Sequence, residues 1–131
     1  MRRIFLIIIV GFMAGCSTSA KLTETEAVSE DFGTVAGCPT NYELTIKAEL
    51  SKRLKDPESG QFKFGKCEKG KVFFGLVNGG TKFGYVVPVL LNAKNSFGGY
   101  TGFSLYYFLF RSGVYHWRLA LPEDPIPADM Q

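Results

Sequence analysis

The sequence contains few of the residues and motifs on which catalytic and metal-binding sites depend. Its 131 residues include one His, three Cys and one Trp. No Walker loop, HExxH helix, EF-hand loop or repeated CxxC pair occurs, so neither nucleotide, zinc nor calcium is indicated and we expect no cofactor and no metal. A chain of this length accommodates one small domain, which excludes a multidomain enzyme.

An excess of charge of one sign is also lacking. Lys and Arg number 15 against 12 Asp and Glu, and removing residues 1–15 takes away Arg2 and Arg3 and leaves 13 against 12. A nucleic-acid-binding surface needs a basic patch or stripe. We therefore expect no nucleic-acid partner.

No apolar run is long enough to span a membrane. The run from Ile4 to Met13 has about half of the roughly 20 residues that a spanning helix needs. Arg2 and Arg3 precede it and Ala14-Gly15-Cys16 follow it, as in a cleaved signal peptide. The tetrapeptide from Met13 to Cys16 resembles the lipobox of bacterial lipoproteins. The alternative is an ordinary secretory signal with an incidental cysteine.

The lipobox resemblance implies where the chain resides. Residues 1–15 are then a signal peptide, and Cys16 becomes the first mature residue and carries acyl chains, so the lipid bilayer is a partner. Two or three chains anchor a protein far more firmly than one. Ser17 follows Cys16, and Asp at that position generally disfavours outer-membrane delivery, so we expect the periplasmic face of the outer membrane. In a Gram-positive host the protein would lie on the outer face of the single membrane.

The rest of the chain divides by composition. Residues 16–37 comprise the lipidated Cys and a stretch rich in Ser, Thr, Glu and Ala without periodic apolar residues, which predicts a flexible tether. Residues 38–121 form the predicted domain, and the proline-rich residues 122–131 a C-terminal tail. Cys38 and Cys67 are the two remaining cysteines, and in an oxidising envelope they are expected to form a disulfide. The alternative is two free thiols.

The domain begins with a helical pattern. Thr40 and Glu43 have the spacing of a capping box, with Thr40 as N-cap. An apolar residue recurs every fourth position from Tyr42 to Leu54, which is typical of an amphipathic helix. Asp56-Pro57 is expected to end the helix, because proline disfavours helical geometry in the residue before it.

From Phe62 onward the pattern is that of strands, because 15 of the 19 aromatics lie between Phe62 and Trp117, interleaved with glycine. The predicted fold is α+β: one N-terminal helix packed on a curved antiparallel sheet of four to five strands. Pro88 lies inside the third run and indicates an edge position or a bulge. Phe103 to Phe110 is apolar on both faces. The second face is therefore covered by a curled sheet or left as an aromatic surface for a partner. The predicted strands are Gln61 to Lys66, Lys71 to Val77, Lys82 to Leu91, Phe103 to Phe110 and Val114 to Leu121.

The segment Asn92 to Gly102, NAKNSFGGYTG, is the least generic part of the sequence. With the upstream segment Leu54 to Phe62, which has the form LKDPxSxxF, it resembles a group of small bacterial exported proteins and lipoproteins of unassigned function. The resemblance covers Leu54 to Phe110 and implies no catalytic residues.

The same segment is the candidate binding loop. Its turn residues either order the loop by bonding to its own backbone or present it to a ligand. In the second case the amides around the glycines form an anion-binding nest to which Lys94 adds charge, and the Asn and Tyr side chains contact a glycan, a peptide or a protein. The candidate residues are Asn92, Lys94, Asn95, Ser96, Gly98, Gly99 and Tyr100.

Signs of catalysis are sparse. His116 is the only His, and its place in an alternating strand favours a partly exposed structural role over that of a base. We expect a non-catalytic binding or scaffolding module of the envelope, not an enzyme, with an envelope protein or a glycan as partner. The alternatives are an inhibitor or immunity lipoprotein that acts on a cell-wall hydrolase, an accessory lipoprotein of a secretion or conjugation complex, and an envelope hydrolase that uses Lys94 or Ser96.

Overall fold

The computed structural model describes residues 19–21 and 37–131. The predicted signal peptide, the acylation of Cys16 and most of the predicted tether lie outside the described residues. The described part contains one α-helix and one antiparallel sheet. Within it, no helix has the length and apolar character needed to cross a membrane.

The helix and five of the strands overlap the predicted elements, but β3 begins and ends earlier than the predicted strand Lys71 to Val77, because residues 74–80 form a turn. The five strands β2 to β6 each overlap one predicted strand, so the α+β class and these five strands are confirmed; the curvature of the sheet stays a prediction. A sixth strand, β1, precedes the helix, and α1 is therefore not the first element of the chain. The elements are β1 (Ser19–Lys21), α1 (Tyr42–Ser51), β2 (Gln61–Phe64), β3 (Glu68–Phe73), β4 (Thr81–Asn92), β5 (Ser104–Arg111) and β6 (Val114–Leu119), with 3-10 turns at Pro57–Ser59, Leu76–Asn78 and Ala128–Met130.

Strand β4 is the centre of the sheet. On one side it pairs with β5, which pairs in turn with β6. On its other side both β2 and β3 pair with it, one after the other. The sequence Gln61 to Phe73 therefore runs along β4 as one interrupted strand.

The interruption lies opposite Pro88, where three residues, 65–67, face two residues of β4. The Gly65 N–H donates to the Pro88 carbonyl at 2.9 Å. A Cβ on Gly65 would come within 2.6 Å of Pro88 Cγ, so only glycine fits there. Because proline has no N–H to donate, it occupies a position where the ladder is broken. Of the two predicted placements of Pro88, the bulge is the one found.

Strand β1 extends the sheet beyond β3. Ser19 lies opposite Val72 and Lys21 opposite Gly70, in antiparallel orientation. These three residues belong to the stretch predicted as a flexible tether, so the tether prediction is wrong for them. The sequence has no periodic apolar pattern there that would predict a strand.

Helix α1 covers one face of the sheet. Ile46 and Leu50 are fully buried against Val87, Phe108 and neighbouring side chains. At the other end of its amphipathic stripe, Tyr42 packs against the same cluster. The helix is thereby held by apolar burial, which is the main source of stability for a helix of this length.

The start of α1 differs from the prediction. Asn41, not Thr40, is the N-cap, and it makes no side-chain capping bond. The Tyr42 N–H bonds to the Pro39 carbonyl at 3.2 Å, and this turn moves the first helical residue one position along. Glu43 is then the second helical residue, so the predicted capping box is wrong. The helix also ends at Ser51, before the predicted stop at Asp56.

The second face of the sheet is covered by the C-terminal residues. Met130 packs against the buried cluster that contains Leu90, Leu105 and Leu109. The Tyr107 hydroxyl donates to the Pro125 carbonyl at 3.0 Å. Strand β5 is therefore buried on both faces, but residues 122–131 are part of the cover, which is neither the curled sheet nor the aromatic surface that the sequence predicted.

A disulfide joins Cys38 to Cys67, with a Cα–Cα distance of 6.2 Å, and this predicted pairing is confirmed. Cys38 precedes α1, and Cys67 lies in the bulge between β2 and β3. The bond therefore fastens the start of the helical segment to the sheet.

Candidate functional site

The two segments of the sequence resemblance come together in space. Gln61 in β2 pairs with Asn92 at the end of β4. This pairing places the 3-10 turn Pro57–Ser59 beside the loop 92–102. Residues that are more than thirty positions apart in sequence therefore build one site.

Ser59 is the centre of the contact between turn and loop. Its side chain is buried, and its Oγ donates to the Asp56 carbonyl at 2.8 Å and accepts from the Lys94 N–H at 3.1 Å. Its carbonyl accepts from the Tyr100 hydroxyl at 3.3 Å. A further hydrogen bond runs from Lys55 Nζ to Ser96 Oγ. Ser59, the Ser of LKDPxSxxF, therefore has a structural role: it holds the loop against the turn through hydrogen bonds.

Asn92 closes the base of the loop. Its side chain is 9% exposed, its Nδ2 donates to Gln61 Oε1 at 3.2 Å, and its Oδ1 accepts from the Gly102 N–H at 3.1 Å. Gly102 has a φ of 103°, a conformation that strongly favours glycine. The candidate residue Asn92 is therefore a buried structural residue, not a surface contact.

Asn95 organises the tip of the loop. Its Oδ1 accepts hydrogen bonds from the N–H groups of Phe97 at 2.9 Å and Gly99 at 3.1 Å. Its main chain pairs with Gly98 and Gly99. Of the two predicted alternatives, the loop that bonds to its own backbone is the one found, because the carboxamide oxygen accepts from amides that an anion-binding nest would need.

The outer surface of the loop is aromatic and basic. Phe97 is 96% exposed, Tyr100 46% and Phe103 44%. Lys94 Nζ lies 5.8 Å from the centre of the Tyr100 ring, and Lys63 Nζ lies 4.7 Å from that of Phe103, within the range of cation–π attraction. We call this set the aromatic loop surface: Phe97, Tyr100 and Phe103 with Lys55, Lys63 and Lys94.

Sequence reasoning found part of this surface. Lys94 and Tyr100 were candidates, and both are exposed. Phe97, Phe103 and Lys63 were missed. Phe97 could have been found from its sequence neighbours. It lies between Ser96 and Gly98-Gly99, and a tight turn of such residues has no interior in which to bury a large ring.

The single His of the sequence lies away from the loop 92–102. His116 pairs with Leu109 and lines a concavity with Thr81 and Lys82, at the end of the sheet opposite the loop. Burial lowers the pKa of His116, and the charges of Lys82 and Arg111 lower it further. In residues 19–21 and 37–131, no group of three or more His, Cys, Asp or Glu side chains is placed to hold a metal ion.

The C-terminal residues leave a groove on the second face of the sheet. It has a volume of about 400 Å³ and lies between β3 and the segment from Pro125 to Asp129. Tyr107 lines it, and the pKa of Tyr107 is raised by burial and by the nearby Asp124 carboxylate, while Arg118 lowers it. No sequence pattern pointed to this groove.

Comparisons of the chain with protein-family models, with curated proteins and with solved structures found no match.

Proposed function

We propose that the chain is a membrane-anchored bacterial lipoprotein and a non-catalytic binding or scaffolding module of the cell envelope. The observation that carries the proposal is the loop 92–102, which presents Phe97 at 96% exposure on a backbone held by internal hydrogen bonds. Its partner is an envelope protein or a glycan, and the anchor is acylated Cys16 on the periplasmic face of the outer membrane.

Rigidity is the property that suits the loop to binding. A flexible loop loses conformational entropy when it binds, and a preorganised one loses less. Ser59, Asn92 and Asn95 already hold the backbone through side-chain hydrogen bonds. Exposed aromatic side chains on such a frame resemble the anchor residues of protein interfaces.

The chemistry of the surface indicates the kind of partner. Lys94 lies beside the Tyr100 ring and Lys63 beside the Phe103 ring, and their charges favour acidic groups on the partner. Aromatic rings also stack on sugar faces and on apolar side chains. A protein with an acidic, partly apolar patch satisfies both features, and an acidic glycan is the second match.

Photo-crosslinking in intact cells tests the loop. A photoreactive phenylalanine analogue replaces Phe97 in one variant and Leu44, which is 70% exposed on α1, in the control. We expect a discrete adduct from position 97, at least tenfold weaker from position 44, and lost when Tyr100→Ala is added. Equal adducts from both positions would contradict the proposal.

The anchor has its own test. Cells fed an alkyne-bearing palmitate are expected to label the wild-type protein, and the Cys16→Ser variant is expected to lose the label and leave the membrane fraction. A labelled Cys16→Ser variant would show that the acyl chain is attached elsewhere.

A second candidate function is supported by the same protruding ring. An inhibitor or immunity lipoprotein would insert Phe97 into the cleft of a cell-wall hydrolase, as a plug with a rigid base. In that case purified protein inhibits a lysozyme-type hydrolase, and Phe97→Ala raises the inhibition constant at least tenfold while Leu44→Ala does not.

Crosslinks to a secretion or conjugation complex would instead favour the accessory role. An envelope hydrolase that uses Lys94 or Ser96 is disfavoured, because both side chains lie on the exposed surface of the loop, where water is not excluded from a reaction.

A further inference from the structure

The direction of β1 fixes which end of the sheet is near the anchor. β1 is antiparallel to β3, with Ser19 opposite Val72, and β3 ends at Phe73, just before the turn 74–80. The N-terminal end of β1 therefore lies at the end of the sheet that carries this turn. Cys16 is three residues away, and three residues span at most about 10 Å.

The same end of the sheet carries exposed aliphatic side chains. Leu76 and Val77 are 88% and 96% exposed at the tip of the turn between β3 and β4. Hydrogen bonds from Gly80 N–H to the Gly75 carbonyl and from Phe74 N–H to the Gly80 carbonyl, each 2.9 Å, hold the turn. Two adjacent aliphatic residues are thus presented to solvent by an ordered turn.

A basic concavity lies beside this turn. It has a volume of about 510 Å³, and Lys82, Arg111 and His116 line it. Arg111 Nη1 donates to the Phe83 carbonyl at 3.0 Å, and Lys82 Nζ lies 5.8 Å from the centre of the Phe74 ring. The described residues that line the concavity include no Asp or Glu, so its charge suits an anion.

We infer that this end of the sheet, which we call the apolar tip (Leu76, Val77, Lys82 and Arg111), docks on the surface of an anionic phospholipid bilayer. Leu76 and Val77 enter the headgroup region, and Lys82 and Arg111 contact lipid phosphates. The inference rests on the proposed anchor, because acylated Cys16 is what holds this end at the membrane. The loop 92–102 then points away from the bilayer.

Each part of the tip contributes a different force. Aliphatic side chains gain free energy when they leave water for the acyl boundary. Lys and Arg near an anionic bilayer add electrostatic attraction that acts within a Debye length of the surface. Because the anchor already confines the tip to the surface, weak contacts of this kind are sufficient for docking.

Depth-dependent quenching tests the inference on the acylated protein purified from membranes. It is reconstituted in vesicles of phosphatidylethanolamine and phosphatidylglycerol with brominated acyl chains, which quench tryptophan fluorescence on contact. Val77→Trp and Phe97→Trp are matched variants, because both positions are 96% exposed at opposite ends of the sheet. The signal of native Trp117 is subtracted in both.

We expect the tryptophan at position 77 to lose at least half of its fluorescence and the one at position 97 to be unchanged. Adding Lys82→Glu is expected to weaken the quenching at position 77, whereas Lys63→Glu at the opposite end leaves it unchanged. Equal quenching at both positions, or none at 77, would overturn the inference.

Mass spectrometry of the same sample shows whether Cys16 carries acyl chains. It therefore distinguishes a failure of the docking inference from a failure of the proposed anchor. Acylated protein without quenching at position 77 would overturn the docking of the tip and leave the anchor intact. Protein without acyl chains at Cys16 would overturn both.

Discussion

Asn95 holds the tip of the loop 92–102 with a single oxygen atom. Its Oδ1 accepts from Phe97 and Gly99, so one side chain replaces the water that two backbone amides would otherwise bind. Its role is therefore to fix the shape of the aromatic loop surface, and the ring of Phe97 remains outside that framework.

Asn95→Ala is expected to loosen the loop. The loss of two hydrogen bonds at an exposed site lowers the free energy of unfolding by about 1 kcal/mol, measured by urea denaturation. The amides of Phe97 and Gly99 are also expected to exchange with deuterium faster. Phe97→Ala serves as the control, because its exposed ring contributes less than about 0.5 kcal/mol. Equal losses in both variants would contradict this role of Asn95.

His116 makes the stability depend on pH. Its pKa is lowered from the ordinary value of 6.5, first by burial and then by Lys82 and Arg111. As pH falls below 6.5 the unfolded chain takes up the proton before the folded one does, so the free energy of unfolding falls. Above that value both states are neutral and the full stability is retained. Denaturation at about pH 7.5 and pH 5 should show this loss in the wild type and a smaller one in His116→Gln.

The sequence was a good guide to single residues at the surface and a poor one to how they are bonded. Lys94 and Tyr100 are exposed side chains of the loop, in agreement with a binding surface. The amides around Gly98 and Gly99 looked free in the sequence, and nothing local indicated that Asn95 would occupy them. Ser59 and the loop are joined by tertiary contacts across 35 residues, which a local pattern does not contain.

Among the elements, the C-terminal segment depends on one buried ion pair. Asp124 Oδ2 lies 2.7 Å from Arg118 Nη1 and also accepts from the Leu121 N–H at 2.8 Å. The Asp124 side chain is fully buried and that of Arg118 is 12% exposed. The pair fixes the turn that leads residues 122–131 back across the sheet.

Asp124→Asn is expected to destabilise the fold by about 2 kcal/mol, because it leaves a largely buried guanidinium without its carboxylate. Thermal denaturation measures the loss, and Glu123→Gln, at the neighbouring exposed position, is the control. Residues 122–131 should also become more susceptible to limited proteolysis, because they are held less firmly against the sheet. A melting temperature equal to that of the control would refute this account.

The elements were predictable where the pattern is periodic. Alternation and turn residues indicated β2 to β6, and the four-residue apolar repeat indicated α1. The interruption of β2 and β3 was less visible, since it depends on the fit of Gly65 against Pro88. β1 was not predictable, because three residues carry no period and are selected by pairing with β3.

For the whole molecule, the disulfide is the covalent constraint that links the helix to the sheet. Cys38 and Cys67 are 29 residues apart, and closing a loop of this size stabilises the folded state by about 3 kcal/mol. Denaturation with and without a thiol reductant should show this difference. The Cys38→Ser, Cys67→Ser double variant should match the reduced protein and ignore the reductant. A double variant as stable as the oxidised wild type would show that the disulfide does not stabilise the fold.

The molecule also separates its two proposed contacts. The β3–β4 turn and the loop 92–102 lie at opposite ends of β4, so the strand length sets the distance between the lipid-facing end and the partner-facing end. The twelve residues of β4 correspond to roughly 40 Å. A partner can therefore be engaged without competition from the bilayer.

The direction of β1 has a mechanical consequence. A pull between Cys16 and a partner on the loop 92–102 acts along the strands and loads them in shear. β1 pairs with β3 through three residues, whereas β3 and β4 share six, so β1 yields first and the remaining sheet stays folded. Its release adds residues 19–37 to the length of chain between Cys16 and the sheet, at most roughly 65 Å. Force spectroscopy should record this step as a low-force extension before the sheet ruptures.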